Sequence, residues 1–294
     1  MKKILTILVA VLAGLFVILS LLDLKGDYRV EQLVWSNNQK LAVAAKNQET
    51  TSEKTFESIA ANYRKIIKSF PNSRLVPGIN LLLGQTYVAG KSFDKARQVF
   101  AETCKKYPDN KALCSEALVL TGKTYQEEKN VSMAVKTFEQ IMRQYPLTDG
   151  GLMMPLYIAK YHQFNNHGQA AALAYTQAIA HYKKIISENQ NSVIEFKALG
   201  LLAGAYSDIE QWQPAMETFG ESLLKYPDPR TAGVIFKSIN FISLVKLQNK
   251  DAAIKLYQNI LKEKPSHPLA KVIEKMIKSL ETLKDADAKV FLKN

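Results

Sequence analysis

An all-α fold is what this sequence predicts: a right-handed superhelical solenoid of about six helix–turn–helix units, preceded by one transmembrane helix and closed by a capping helix. Three observations carry that expectation. A proline recurs at Pro71, Pro108, Pro146, Pro227 and Pro265, at intervals of 37, 38, 81 and 38 residues, and the long interval divides at Gln190 into 44 and 37. The same residue types stand at fixed offsets before these prolines. Finally, residues 4–22 form a run of 19 without a charge. A period of this size marks a helix pair that cannot bury its apolar face alone, so neighbouring pairs stack to make the core.

The elements follow in order. Ile4 to Leu22 is preceded by Lys2 and Lys3 and followed by Asp23, Lys25, Asp27 and Arg29. At about 1.5 Å per helical residue it nearly spans a hydrocarbon core of ~30 Å. A secretory signal peptide is the rival reading for residues 1–26, but the end of the run, Val17 to Leu22, offers no small-x-small cleavage site. No cysteine lies near it for lipid attachment. The lysines ahead of the run predict a cytoplasmic N-terminus and a translocated remainder.

Residues 27–267 are the expected solenoid. Ile59 to Ile67 before Pro71 reads as a second helix, with its partner near Val30–Lys46 and a polar connector at Asn47–Lys54. Counting back 24, 21, 12 and 8 residues from Pro108 meets Gly84, Tyr87, Ala96 and Phe100. Pro146 gives Gly122, Tyr125, Ala134 and Phe138 at those offsets, and Pro227 gives Ala203, Tyr206, Ala215 and Phe219. Pro265 gives a degenerate copy: Phe241, Leu244, Ala253 and Tyr257. The small residue in the first helix admits the second at close range, the aromatic one turn on fills the gap, and the alanine lies at the crossing. Ser92, Asn130 and Asn249 are the expected N-caps, Pro214 suits a first helical turn, and each proline ends a second helix. The fourth unit has Gln190 for proline, and its extra length is expected in rim loops at Leu147–Pro155 and Gln163–Gln169. After Pro268, Leu269, Val272, Ile273, Met276, Ile277, Leu280 and Leu283 keep helical spacing, which predicts a capping helix over 268–284 and a tail over 285–294.

The offsets G-x2-Y, then A-x3-F, then P resemble the tetratricopeptide repeat family over roughly residues 28–283. The Tyr-Pro and Phe-Pro-Asn-Ser ends look like those of bacterial envelope repeat proteins of the outer-membrane-assembly and Tol-associated coordinator type. The resemblance implies that the first helices of successive units line a concave groove for an extended peptide or a partner's helix. The positions it places there are Gln85, Glu116, Lys123, Gln126, Lys160, Gln163, Lys197 and Ser207, with Val88 and Gly204 beside them. They make a polar, amide-rich face. A carboxylate-clamp mode is disfavoured, because Leu81, Leu82, Val119 and Leu120 stand at the corresponding positions.

Composition narrows the remaining classes. Of 294 residues, 39 are basic and 27 acidic, a net charge of +12 that favours acidic partners or anionic surfaces. The lysines are spread over helix surfaces such as Lys105-Lys106 and Lys183-Lys184, so nucleic acid is disfavoured. Gly122-Lys123-Thr124 ends like a phosphate-binding loop but has Ala117 where that motif needs glycine. No catalytic or metal motif is present, His162, His167, His181 and His267 are scattered, and neither an enzyme nor a cofactor is expected. Cys104 and Cys114, ten residues apart across a predicted helix–turn–helix, are a possible disulfide in an oxidising compartment.

The expected function is a non-enzymatic scaffold in a bacterial inner membrane, crossing once with the solenoid in the periplasm and taking part in envelope protein assembly or export. Two alternatives stand beside it. One is a structural subunit of a larger membrane complex. The other is a soluble periplasmic protein, released by signal cleavage, that binds an acidic polymer or peptidoglycan.

Overall fold

A computed structural model of the chain describes residues 26–283. The expected anchor at 4–22 and the tail at 285–294 lie outside the described residues. Among those described, no helix is long and apolar enough to cross a membrane. They form thirteen α-helices and no strand. The chain divides into two compact units at Gly150–Gly151.

The first unit holds α1 (Asp27–Lys46), α2 (Glu53–Ser69), α3 (Val76–Ala89), α4 (Phe93–Lys106), α5 (Lys111–Glu127) and α6 (Val131–Gln144). Every second helix here stops at the residue pair that the prolines predict: Phe70, Tyr107 and Tyr145 are the C-caps, each immediately before its proline. The connector after α1 is shorter than expected, since Glu53 and Lys54 join α2 and Ser52 takes the cap position. Asn130 caps α6 by accepting the Met133 N–H at 3.2 Å, whereas the Ser92 side chain accepts nothing from α4. Asn110, not singled out in the sequence, caps α5 through the Leu113 N–H at 3.0 Å.

The turns after α3 and α5 use a device that the sequence hides. After α3 the Ser92 N–H donates to the Tyr87 carbonyl at 2.8 Å and the Lys91 N–H to Val88 at 2.9 Å, with Lys91 left-handed at φ 58°. After α5 the same pair of bonds joins Asn130 to Tyr125 and Lys129 to Gln126, with Lys129 at φ 58°. This is the six-to-one, five-to-two closure of a helix C-terminus, normally built on glycine. Lysine there carries a steric cost of roughly 1–2 kcal/mol that glycine avoids, less what glycine loses in chain entropy. Lys129→Gly is therefore expected to stabilise the chain by about 0.5–1 kcal/mol, read as a higher midpoint in urea.

The crossings answer to the small residues. A Cβ built on Gly84 would lie 2.2 Å from the Phe100 ring, and one on Gly122 would lie 2.1 Å from Phe138. Both rings are fully buried, as are Ala96 and Ala134 beside them. Where the third copy has Ala203 instead, Phe219 is only partly buried. Gly122→Ala is expected to cost about 1–2 kcal/mol: overpacking of ~1–3 kcal/mol outweighs a gain of up to ~1 kcal/mol in helix propensity. Thermal unfolding checks this, and an unchanged or raised midpoint would contradict it.

The second unit holds α7 (Asp149–Phe164, all but its first two residues), α8 (Gly168–Glu188), α9 (Val193–Asp208), α10 (Trp212–Lys225), α11 (Pro229–Phe241), a π-helical stretch at Ile242–Lys246, α12 (Lys250–Glu263) and α13 (Ala270–Thr282). Here the expected rim loops are corrected. Leu147–Pro155 is helix from Asp149 onward, with Pro155 inside α7, and Gln163–Gln169 reduces to a turn between Phe164 and Gly168. The extra residues lengthen α8, which has 21 residues against 14 in α4, α6, α10 and α12.

Pro155 survives inside a helix because a distant side chain mends the ladder. The Tyr182 hydroxyl donates to the Leu152 carbonyl at 2.9 Å and accepts from the Leu156 N–H at 3.1 Å. It thus stands between the two groups that a regular helix would pair directly. Tyr182 is fully buried.

The degenerate fourth copy also has a physical reason. Phe241 occupies the position held elsewhere by Gly or Ala, and the backbone widens there: the Leu247 N–H reaches Ile242 and the Asn249 N–H reaches Ser243, both at 2.8 Å. The added residue in the turn leaves Phe241 42 % exposed, away from the crossing where Ala253 and Tyr257 are fully buried. The capping helix is only half a cap. Ile273 and Leu280 are fully buried, but Val272 is 40 % exposed, so part of its apolar arc is left uncovered.

Candidate functional site

In the first unit the first helices α1, α3 and α5 pack successively side by side. Glu116 and Lys123 are exposed on α5, while Gln126 on α5 and Gln85 on α3 are half-buried. Positions 116, 119, 123 and 126 follow helical spacing, which puts Glu116, Lys123 and Gln126 on one stripe of α5. Gln85, Glu116 and Lys123 make no hydrogen bond or ion pair among the described residues. Glu116 and Lys123 on α5 and Gln85 on α3 therefore offer a carboxylate, an ammonium and an amide to whatever approaches, and Val88 and Val119 on the same two helices are half-buried.

In the second unit the expected residues are partly committed. Lys160 on α7 is exposed, but its ammonium lies 3.0 Å from Asp208 Oδ2 on α9. Gln163 Oε1 accepts from the Tyr175 hydroxyl at 2.6 Å, leaving its amide N–H groups outward. Ser207 donates to the Ala203 carbonyl at 2.8 Å, so its hydroxyl proton is already used within its own helix. Lys197 is exposed on α9, near Gly200, whose missing Cβ would meet nothing within 4 Å. A glycine inside an exposed helical face costs about 1 kcal/mol against alanine, which makes room beside the backbone the compensating property.

Two residues in this region were not read from the sequence. Asp208 Oδ2 is buried and has no aligned hydrogen bond, although Lys160 is close. Burial first, and then the Asp208 charge, push the Tyr175 hydroxyl up to about 12. The Lys160 pair itself contributes no more than ~1 kcal/mol, since the lysine is half in water.

The repeated tyrosines do more than fill gaps. Lys95 lies 5.7 Å from the Tyr87 ring centroid, Arg97 lies 4.5 Å from Tyr125 and Lys183 lies 5.7 Å from Tyr206. Arg64 also donates to the Tyr87 hydroxyl. Arg97 is fixed further by Glu128 at 2.7 Å and the Thr124 hydroxyl at 3.1 Å. A basic side chain from an adjoining second helix thus covers the aromatic position in three copies. The shortest of these contacts, Arg97 over Tyr125, is worth about 0.5–1 kcal/mol.

Cys104 and Cys114 are free thiols that the fold brings together: Cys104 Sγ is 3.7 Å from the Cys114 carbonyl, and Cys114 Sγ is 3.6 Å from that of Tyr107. Burial, then the neighbouring Cys114, pushes the Cys104 thiol up to about 12, so at neutral pH it is a weak nucleophile. Two of the histidines prove less scattered than their spacing implies, with the His162 and His167 rings 5.8 Å apart. His267 is buried and structural, its Nδ1 accepting from the Leu269 N–H at 3.1 Å and its Nε2 3.0 Å from the Leu223 carbonyl. Among the described residues no group of three or more His, Cys, Asp or Glu side chains is placed to hold a metal.

Residues 80–110 and 116–148 match the family model of the tetratricopeptide repeat. These stretches cover α3 with α4 and α5 with α6, the two copies with glycine at the crossing. No curated protein matches the chain. Among solved structures it is similar to a thermophilic TPR protein of Thermus thermophilus, at 17% identity and a TM-score of 0.40, covering 70% of this chain and 100% of that one. It is also similar to a tetratricopeptide repeat protein of Parabacteroides merdae, at 12% identity and a TM-score of 0.41, covering 90% and 97%. The class defined by the helix pairs and the matched stretches is an all-α protein of tetratricopeptide-like repeats. Repeats of this kind generally mediate protein–protein interaction.

Proposed function

We propose that this chain is a non-enzymatic adaptor that holds an extended peptide or a partner protein along the face of its first helices. In this reading residues 4–22 anchor it in a bacterial inner membrane, the repeats face the periplasm, and the partners are envelope proteins in assembly or export. The observation that carries the binding role is the set Gln85, Glu116 and Lys123, polar side chains with no partner among the described residues. Amides and single charges spaced in this way suit hydrogen bonding to a peptide backbone and its polar side chains. The anchor rests on the 19-residue uncharged run behind two lysines.

Recovery of the full-length chain from gently solubilised membranes, with its intact mass and its stoichiometric partners identified, tests this. An unprocessed N-terminus with a few envelope proteins supports the adaptor. A chain shortened by about 22–26 residues and free of protein partners overturns the anchor and points to soluble ligands of a basic repeat protein.

A further inference from the structure

The end of the second unit carries an apolar groove of about 550 Å³ between α11 and α13. Gly233 and Phe236 line one wall, and Val272 and Met276 the other. Asn240 ties the base together, donating to Met276 Sδ at 3.9 Å and accepting from the buried Tyr257 hydroxyl at 2.9 Å. Each wall is a stripe at helical spacing, from Pro229 to Asn240 on α11 and from Leu269 to Ser279 on α13. At 1.5 Å per residue such a stripe is about 15 Å long, or three turns of helix.

Only two charged side chains line the groove, Lys237 and Lys275. Both are exposed, and neither has an ion-pair partner among the described residues. A Cβ on Gly233 would meet nothing within 4 Å, so that wall is held back. Val272 is left at 40 % exposure and Met276 is only half-buried, whereas Ile273 and Leu280 on the same helix are fully buried.

We infer that this groove docks a short amphipathic helix of a partner protein, with apolar residues at i, i+3 or i+4 and i+7 and acidic residues flanking them. An apolar trough three turns long takes the apolar ridge of a helix. The two uncompensated lysines on its rims select acidic flanks and reject basic ones. This groove shares no residue with the polar set Gln85, Glu116 and Lys123, so it stands or falls separately from the peptide-binding role proposed for those residues.

The test uses the full-length chain in detergent and two labelled synthetic helices of fourteen residues. Both carry the same leucine ridge, one with glutamate flanks and one with lysine flanks, and binding is read by fluorescence anisotropy at low and high salt. The glutamate peptide is expected to bind at least tenfold more tightly at low salt. Gly233→Leu, which fills the groove without a backbone clash, and Val272→Glu, at an exposed position, are each expected to weaken it tenfold or more with the melting curve retained. Lys237→Glu with Lys275→Glu should reverse the preference between peptides. Equal binding of both peptides, or insensitivity to Gly233→Leu, overturns the inference. So does tenfold tighter binding after removal of residues 284–294, which would make the chain's own C-terminus the occupant. A dimer that Val272→Glu dissociates would make the occupant a second copy and would overturn it equally.

Discussion

Replacing Tyr182 by phenylalanine is expected to destabilise the second unit by about 2–4 kcal/mol although the ring stays in place. The lost hydroxyl serves two backbone groups at once, the Leu152 carbonyl and the Leu156 N–H, and both residues are buried. A buried polar group left without a partner costs about 1–3 kcal/mol, and here there are two. Pro155 holds the local backbone in the geometry that admits the hydroxyl, so the direct bond cannot simply close. The control is Tyr63, which stands eight residues before Pro71 as Tyr182 stands eight before Gln190, and which is also fully buried, its hydroxyl donating to the side chain of half-exposed Asn38. Since water can replace that partner, Tyr63→Phe is expected to cost no more than about 1 kcal/mol. Urea unfolding of both variants decides the matter; equal losses would contradict the repair of α7 by Tyr182.

The second large effect concerns Glu195. Its carboxylate is fully buried at the start of α9 and accepts from the Asn191 N–H at 2.6 Å, the Tyr226 hydroxyl at 2.6 Å and the Lys225 ammonium at 2.8 Å. Ser192 caps the same helix through the Glu195 N–H at 3.1 Å, which completes a capping arrangement at the boundary where Gln190 replaces proline. Glu195→Ala is expected to cost about 3–4 kcal/mol, the lower part of the range for a broken buried pair, because Lys225 can turn toward water. Burial alone would push this carboxyl up, but the bonds from Lys225, Tyr226 and Asn191 outweigh it and hold the group below its ordinary value. A depressed folded-state pKa contributes stability that is complete above the unfolded value of ~4.3 and is lost as pH falls through the folded one. The gap in stability between the native chain and Glu195→Ala should therefore be widest near neutrality and should narrow below about pH 4. A gap that is constant with pH would contradict the role assigned to the ionised carboxylate.

How much of this was legible depended on whether the cause lay in the local pattern. The helix ends before Pro71, Pro108, Pro146, Pro227 and Pro265 were readable because proline restricts the residue before it. The contacts of Gly84 with Phe100 and of Gly122 with Phe138 were readable because a crossing needs the same small and aromatic pair in every copy. The turn closures at Lys91 and Lys129 were not, since their left-handed residues are not glycine and leave no mark in composition. Pro155 pointed to a loop, but it lies within a helix in which Tyr182, a residue of the following helix, satisfies the Leu152 carbonyl and the Leu156 N–H. Phe241 was seen as a poor repeat residue, but its accompaniment, the widened turn at Ile242–Lys246, leaves no mark in the local pattern. At the candidate site it was the resemblance to the tetratricopeptide repeat that singled out Glu116, Lys123 and Lys197, all three of which are exposed. The engagement of Lys160 by Asp208 was not legible, because it joins two helices whose mutual register the pattern of either one leaves open.

The central claim, that the first-helix face holds a polypeptide, is tested most directly by photo-crosslinking in membranes that contain the full-length chain. A photoreactive amino acid is placed at Lys123, on the α5 stripe, or at Lys136, exposed on α6. The account predicts one or a few discrete protein adducts from position 123, weakened by Gln85→Ala with Glu116→Ala, and none of those adducts from position 136. The same adducts from both positions, or adducts from 136 alone, would contradict it.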